Sequence, residues 1–253
     1  MRKYFCLLLF YISLHAFAQK IDFESSIKVT YNANLNLGEK NKKNKDFILI
    51  GNSQNYYFAI ENIYRYDSGN YNYLGGIDTK KSSIIFNERV LKINNKTTIF
   101  AITVDSKIRY EESEPLQWVL YSETKTINGV KCQMAATNKF GRRWIAYFSK
   151  EYPQSLGPYK FNGLPGLIFE LYDIRDDYHF TATKVEKDSE EFKYNLSSYK
   201  LMNKKNYLQA KYNMEFTVAA FPDMDEAMRK QTQEMLDKKK KLFNNPLELK
   251  PFE

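Results

Sequence analysis

Near the C-terminus stand four methionines, Met214, Met224, Met228 and Met235. Thioethers are soft ligands suited to Cu(I), and Met224 and Met228 are spaced as neighbours one helical turn apart. The same spacing also serves a core-facing or adaptable contact stripe. Met224 and Met228 are therefore metal ligands only in an alternative reading, a Cu(I)-handling protein. Cys132 falls on the apolar face of an expected strand, where a free thiol behaves as a small hydrophobe. Its neighbour Lys131 points to the other face and leaves the thiolate unsupported. His179 is expected on a polar strand face and has no Ser or Cys motif to serve as its nucleophile. Asp176 and Asp177 suit a turn better than an acid–base pair. Arg142 and Arg143 alternate to opposite faces of a strand, and one is expected to pair with Glu170 or Asp173. The sequence contains no Gly-x-Ser-x-Gly, His-Glu-x-x-His or phosphate loop. Tyrosines 56, 57, 64, 66, 71 and 73 are spaced to form either a stacking platform or ordinary packing.

The elements that would position these groups are mostly strands. The chain holds 20 Tyr and 18 Phe, types that fit a pleated, half-buried surface. Residues 25–37 alternate apolar and polar, as a half-buried strand does. Lys40 to Lys45 has the composition of a solvated loop. Phe47–Ile50 and Tyr56–Ile60 pair around Gly51-Asn52-Ser53, residues 61–80 are irregular, and short strands are expected near 82–88, 98–104 and 107–112. A three-stranded meander follows. Residues 117–127 turn at Asn128-Gly129 in a type I′ hairpin into Val130–Thr137. Asn138-Lys139-Phe140-Gly141 then turns into Arg142–Phe148, with Trp144, Ala146 and Phe148 on one face. Leu164-Pro165-Gly166 suits a type II turn, followed by strands over Leu167–Asp173 and Tyr178–Val185. A short helix is expected over 203–214 and a longer one over Pro222–Phe243. Met224, Met228, Met235 and Leu242 would form the stripe that packs the longer helix on the sheet.

The N-terminus has the pattern of a secretory signal peptide: Arg2 and Lys3, an apolar run from Tyr4 to Leu14, and Ala16-Phe17-Ala18. Cleavage after Ala18 removes Cys6 and His15, leaving Cys132 and His179. That excludes an intrachain disulfide and a His/Cys zinc site. It also lowers the net charge of +8 by two, and the rest is spread among acids. Export and dispersed charge argue against nucleic acid. No later segment approaches the ~20 apolar residues of a transmembrane span.

Residues 129–168 carry a resemblance. They read Gly129-Val-Lys-Cys-Gln-Met-Ala, Gly141-Arg142-Arg143-Trp144-Ile145-Ala146-Tyr147, Gly157-Pro158, and Gly163-Leu164-Pro165-Gly166-Leu167-Ile168. In this company the last hexapeptide resembles the signature of the GLPGLI family. The Asn244-Asn245-Pro246-Leu247-Glu248-Leu249 close is similar to that family's C-terminal end. The resemblance implies an exported protein, mainly of Bacteroidota, and carries no established activity. Its strand layout is loosely similar to periplasmic lipoprotein carriers.

The expected fold is mainly β, a single curved antiparallel sheet, with a lipoprotein-carrier-like half barrel as one form of it, and C-terminal helices. The expected organisation is a signal peptide over 1–18 and one β-rich domain over 19–253, with its helical segment at 200–244. The expected location is the periplasm or the periplasmic face of the outer membrane. The expected function is a noncatalytic binding or accessory module without a cofactor. Its partner would be an apolar small molecule, a peptide or an outer-membrane protein. The alternatives are a periplasmic Cu(I)-handling protein and an unrecognised envelope hydrolase. The hexapeptide is apolar, so it is either a turn feeding a buried strand or part of a binding loop. In the second case the binding residues are Trp144, Tyr147, Tyr159, Gly163, Leu164, Pro165 and Gly166.

Overall fold

A computed structural model describes residues 20–69, 86–103, 106–113 and 115–252. The segment expected as an export leader, Tyr71, Tyr73 and the first residues of the strand expected from 82 lie outside them.

β1 (Lys20–Glu24) leads into β2 (Ile27–Asn36), whose burial alternates as its sequence does. β3 (Lys42–Gly51) and β4 (Tyr56–Ile60) continue antiparallel. The loop expected over Lys40–Lys45 is corrected, because from Lys42 onward these residues are the exposed end of β3. Cross-strand amides hold it. Asn32 Nδ2 donates to Asn44 Oδ1 and to Asp46 Oδ1, each at 2.8 Å. Pairing with a well-formed partner strand overrides weak strand propensity. A short helix, α1 (Glu61–Asp67), replaces the start of the irregular region expected over 61–80. It buries Ile63 and Tyr64 and carries Asp67 to Arg89, a buried ion pair of 2.6 Å.

β5 (Glu88–Ile93), β6 (Lys96–Ile102) and β7 (Lys107–Glu112) form a second meander. The strands expected at 82–88 and 98–104 shift accordingly. Asn94, at φ 54°, opens a tight turn that composition alone did not mark. The central strands are β8 (Val119–Ile127), β9 (Val130–Lys139), β10 (Arg142–Ser149), β11 (Leu167–Asp173) and β12 (Tyr178–Lys187). Asn128 and Gly129 have φ of 49° and 81°, as a type I′ turn requires. The next turn is narrower than expected: Lys139 already pairs with Arg142, and Phe140 and Gly141 alone lie between them.

β13 (Glu191–Asn195) pairs with β1 in a separate ribbon. β14 (Lys200–Leu201) precedes α2 (Lys204–Phe216) and α3 (Glu226–Leu242). Among the described residues the main sheet has twelve strands in the order β14-β7-β6-β5-β4-β3-β2-β12-β11-β10-β9-β8. It is antiparallel apart from the β14–β7 pair, and it is curved and open. Both edges are blunted, one by the shortness of β14 and the other by a bulge between Leu120 and Thr124 of β8. Such devices discourage edge-to-edge pairing.

The helices depart most from expectation. α2 packs on β7, where Tyr207 is fully buried with its ring centroid 4.7 Å from that of Tyr110. α3 lies against α2 instead of on the sheet. Its methionine stripe faces outward, with Met228 54% and Met235 59% exposed. Met224 lies before the helix, whose N-cap is Asp225 accepting from the Met228 amide at 2.8 Å. α3 buries Leu236, and polar clamps hold it. Gln233 bridges the Phe216 carbonyl and the Val218 amide, and Lys239 Nζ donates to the Glu215 carbonyl at 3.2 Å. Periodicity marks a stripe but not the surface that covers it. No helix among the described residues is long and apolar enough to cross a membrane.

Candidate binding groove

After α3 the chain crosses back over the sheet as a strap, residues 243–251. Asn245 is its anchor. Its amide donates to the Leu37 carbonyl at 3.0 Å, and its Nδ2 donates to the Asn36 carbonyl at 2.7 Å. The Tyr178 hydroxyl donates to the Asn245 carbonyl at 2.5 Å. Arg142, at the start of β10, supplies the rest. Its Nη1 donates to Asp173 and Asp177, at 3.1 and 3.0 Å. Its Nη2 donates to Asn245 Oδ1 and the Pro246 carbonyl, and its Nε to the Leu247 carbonyl. All five N–H groups of the fork are thus used, and the guanidinium lies 5.0 Å from the Tyr178 ring centroid. The expectation that one arginine pairs with Glu170 or Asp173 holds for Arg142. That the same arginine fastens the C-terminus was not visible from sequence.

Between the strap, the helices and the sheet lies a groove of about 420 Å³. Its apolar walls include Leu37, Phe86, Tyr110, Tyr159, Leu208, Phe216, Phe243 and Leu247. Glu88, Lys211, Glu215, Lys240 and Glu248 also line it. Burial opposes the Glu88 carboxylate, but Lys211, at 3.0 Å, and Lys160 outweigh it and hold the carboxyl below its ordinary range. Glu248 is bound by Lys160 at 2.5 Å, by the Tyr159 hydroxyl at 2.7 Å and by Lys204 at 3.4 Å. Lys160 also meets Glu112 at 2.8 Å and the Tyr110 hydroxyl at 2.7 Å. Glu215 differs. Burial raises its carboxyl above the ordinary range, against the opposing charges of Lys211 and Lys239.

Lys160 and Glu112 line a second, more polar cavity of about 430 Å³, with Lys92, Thr97, Leu116, Phe140, Asn162 and Gly163 among others. Lys92 Nζ donates to Asn162 Oδ1 there at 2.8 Å.

The binding residues expected from sequence do not converge. Tyr159 lines the groove. Gly163 lines the polar cavity, with its amide donating to Ser155 Oγ at 3.0 Å. Trp144 is fully buried, donating to the Lys139 carbonyl and packing on Phe161. Leu164 is also buried, and Pro165 is exposed. Tyr147 lies on the opposite sheet face, its hydroxyl donating to Glu123 at 2.9 Å. The hexapeptide turn is tighter than the expected type II form, because the Gly166 amide donates to the Leu164 carbonyl at 2.8 Å. A Cβ on Gly166 would lie 2.1 Å from the Ser149 carbonyl oxygen, so the motif is a close backbone approach that only glycine fits. Tyr56, Tyr57 and Tyr64 are buried and belong to the core, not to a stacking platform.

On the far sheet face His179 sits between Glu170 and Asp176, at 3.1 and 2.8 Å. Hydrogen bonding to Glu170 raises its pKa above 6.5 even though burial opposes this. Cys132 is fully buried, and burial pushes its thiol up to about 11. The groove residues that sequence missed are Glu88, Leu208, Lys211, Glu215 and Phe216. They come from one strand end and a weakly amphipathic helix, so no motif marks them. The Asn-Asn-Pro-Leu-Glu-Leu close was the one local signal near the groove.

No family model matches the chain, and no curated protein matches it. Among solved structures the chain is similar to PNGF-II in two crystal forms. In the C2 form the TM-score is 0.54 at 16% identity, covering 80% of this chain and 37% of that one. In the P21 form it is 0.56 at 17% identity, covering 80% and 38%. At such identity the likeness is one of fold, and the chain spans under two-fifths of PNGF-II. A LolA superfamily protein, NE2245 from Nitrosomonas europaea, aligns over 64% of this chain and 85% of that one. Its 7% identity and TM-score of 0.28 make the likeness too distant to bear on function.

Proposed function

We propose that this chain is a noncatalytic binding module of the bacterial cell envelope whose groove takes an apolar small molecule. The observation that carries the reading is the groove itself. Aromatic and aliphatic side chains wall a site of ligand size between sheet, helices and strap, the usual form of a small-molecule pocket. Export to the periplasm, or to the periplasmic face of the outer membrane, is supported by the leader pattern of residues 1–18. Membership of the GLPGLI family is supported by residues 129–168. Glu88 and Glu112 are ion-paired with lysines and held below the ordinary carboxylate range, away from the near-neutral pKa that suits a general acid or base, which supports binding over hydrolysis at these two groups.

Two measurements test the reading. Purification from the native envelope, followed by mass spectrometry, is expected to find a stoichiometric apolar molecule. Titration with the fluorescent apolar probe N-phenyl-1-naphthylamine is expected to show one saturable site, weakened by Leu208→Asp. Turnover of an envelope substrate, abolished by changing one groove carboxylate, would overturn the proposal.

A further inference from the structure

Lys92 brings a half-buried ammonium to the polar cavity. It stands directly opposite Thr97 in the β5–β6 pair, so the two side chains share one face of the sheet, and both line the cavity. Its Nζ donates to Asn162 Oδ1 at 2.8 Å. Asn162 is held in place by two further bonds: its Nδ2 donates to the Lys160 carbonyl at 2.8 Å, and the Trp118 indole donates to its own carbonyl at 2.9 Å. An ammonium has three N–H donors, and this neutral amide takes one. Burial holds Lys92 below the ordinary lysine range, and no described carboxylate acts to raise it. Thr97 is only 9% exposed, and its hydroxyl has no hydrogen-bond partner among the described residues. The described lining sets three lysines, Lys92, Lys139 and Lys160, against one glutamate, Glu112. Glu112 is already matched by Lys160 at 2.8 Å and by Lys204 at 2.9 Å.

We propose that the polar cavity is a second binding site, for a small hydroxylated carboxylate of the sugar-acid class, with the carboxylate on Lys92 and a hydroxyl on Thr97. None of its lining residues is shared with the apolar groove, and the inference does not rest on that groove. A partly desolvated ammonium gains from an anion that arrives with the ligand, because a charge-assisted hydrogen bond replaces the water it loses. A buried hydroxyl gains in the same way from a hydroxyl partner. Leu116 and Phe140 give the ligand's carbon skeleton an apolar wall. A neutral sugar would leave Lys92 without a counter-charge, and a phosphate dianion would bring a second negative charge towards Glu112. The cavity therefore favours a single negative charge on a hydroxylated frame.

The test is calorimetric titration of the full chain with D-glucuronate, D-glucose and inorganic phosphate. Glucuronate is expected to bind saturably and at least about tenfold more tightly than either of the others, a difference of about 1.4 kcal/mol. Lys92→Gln is expected to bring glucuronate within about twofold of glucose. Its melting temperature is expected not to fall, since the change removes a partly desolvated cation that has no acid partner. The proposal is overturned by an absence of saturable glucuronate binding, by equal binding of glucose, by tighter binding of phosphate, or by a glucuronate preference that survives Lys92→Gln. If that variant is unfolded, Lys92→Arg takes its place. It keeps the charge and is expected to keep the preference for glucuronate, and a folded Lys92→Arg that binds glucose equally well overturns the assignment.

Discussion

Arg142 Nε donates to the Leu247 carbonyl at 3.0 Å, joining the first residue of β10 to the C-terminal strap across 105 positions of sequence. The same guanidinium holds Asp173 and Asp177. One side chain thus fixes the sheet corner and one wall of the groove. Arg142→Met would leave Asp173, itself 1% exposed, without its cation. Breaking a buried pair by removing one partner costs about 3–5 kcal/mol. Chemical denaturation is expected to show a loss of that order. Limited proteolysis with trypsin is expected to cut within 238–241 sooner than in the wild type.

Gly166→Ala tests the hexapeptide. The added methyl meets the Ser149 carbonyl at 2.1 Å, and backbone on both sides must move. A loss of at least about 2 kcal/mol is expected by denaturant titration, since a backbone clash belongs to the strongly destabilising class. Gly129→Ala is the contrast. Its Cβ would meet nothing within 4 Å, and the positive φ of 81° is its sole penalty, about 1–2 kcal/mol.

Cys132 should be inert in the native state. Burial both shields the thiol and raises it to about 11, with Glu151 and Glu170 adding to the rise. Little thiolate forms near neutrality, and the thiolate is the nucleophile. Iodoacetamide at pH 8 is expected to leave the folded chain unmodified over hours and to alkylate it promptly in 6 M guanidinium, as read by intact mass. Prompt native labelling would show that this strand opens.

His179 and Glu170 give the far face a pH dependence. The histidine's pKa is raised in the fold, so its contribution is complete below 6.5 and is lost as pH rises through the higher folded value. Burial works against the Glu170 carboxylate, but His179 and Lys125 outweigh it and lower its pKa. Its contribution is complete above the ordinary carboxylate range and is lost as pH falls through the lower folded value. The pair is therefore strongest between about pH 5 and 6.5. The melting-temperature gap between wild type and His179→Gln is expected to peak there and to narrow by pH 8. A gap independent of pH would show that the pair does not titrate with folding.

The sequence by itself determined the central meander, because its signals are local. Alternation sets the faces of β9 and β10, and Asn128-Gly129 can occupy the two positive-φ positions of a tight turn. It also marked a turn at Leu164-Pro165-Gly166 and one of Arg142 and Arg143 as the partner of Glu170 or Asp173, but not that Gly166 is a close backbone approach or that Arg142 is the arginine that pairs. The tertiary structure decided the rest. Lys42–Asp46 became strand because β2 offers a paired edge, and α3 turned its methionines to solvent because α2, not the sheet, receives it. Glu88, Leu208, Glu215 and Leu247 came together although strand order and the return of the strap had to be fixed first. Local pattern specifies which face of an element is apolar or which turn it can make. Which surfaces meet depends on long-range pairing and packing, and the groove exists only where those distant segments close on one another.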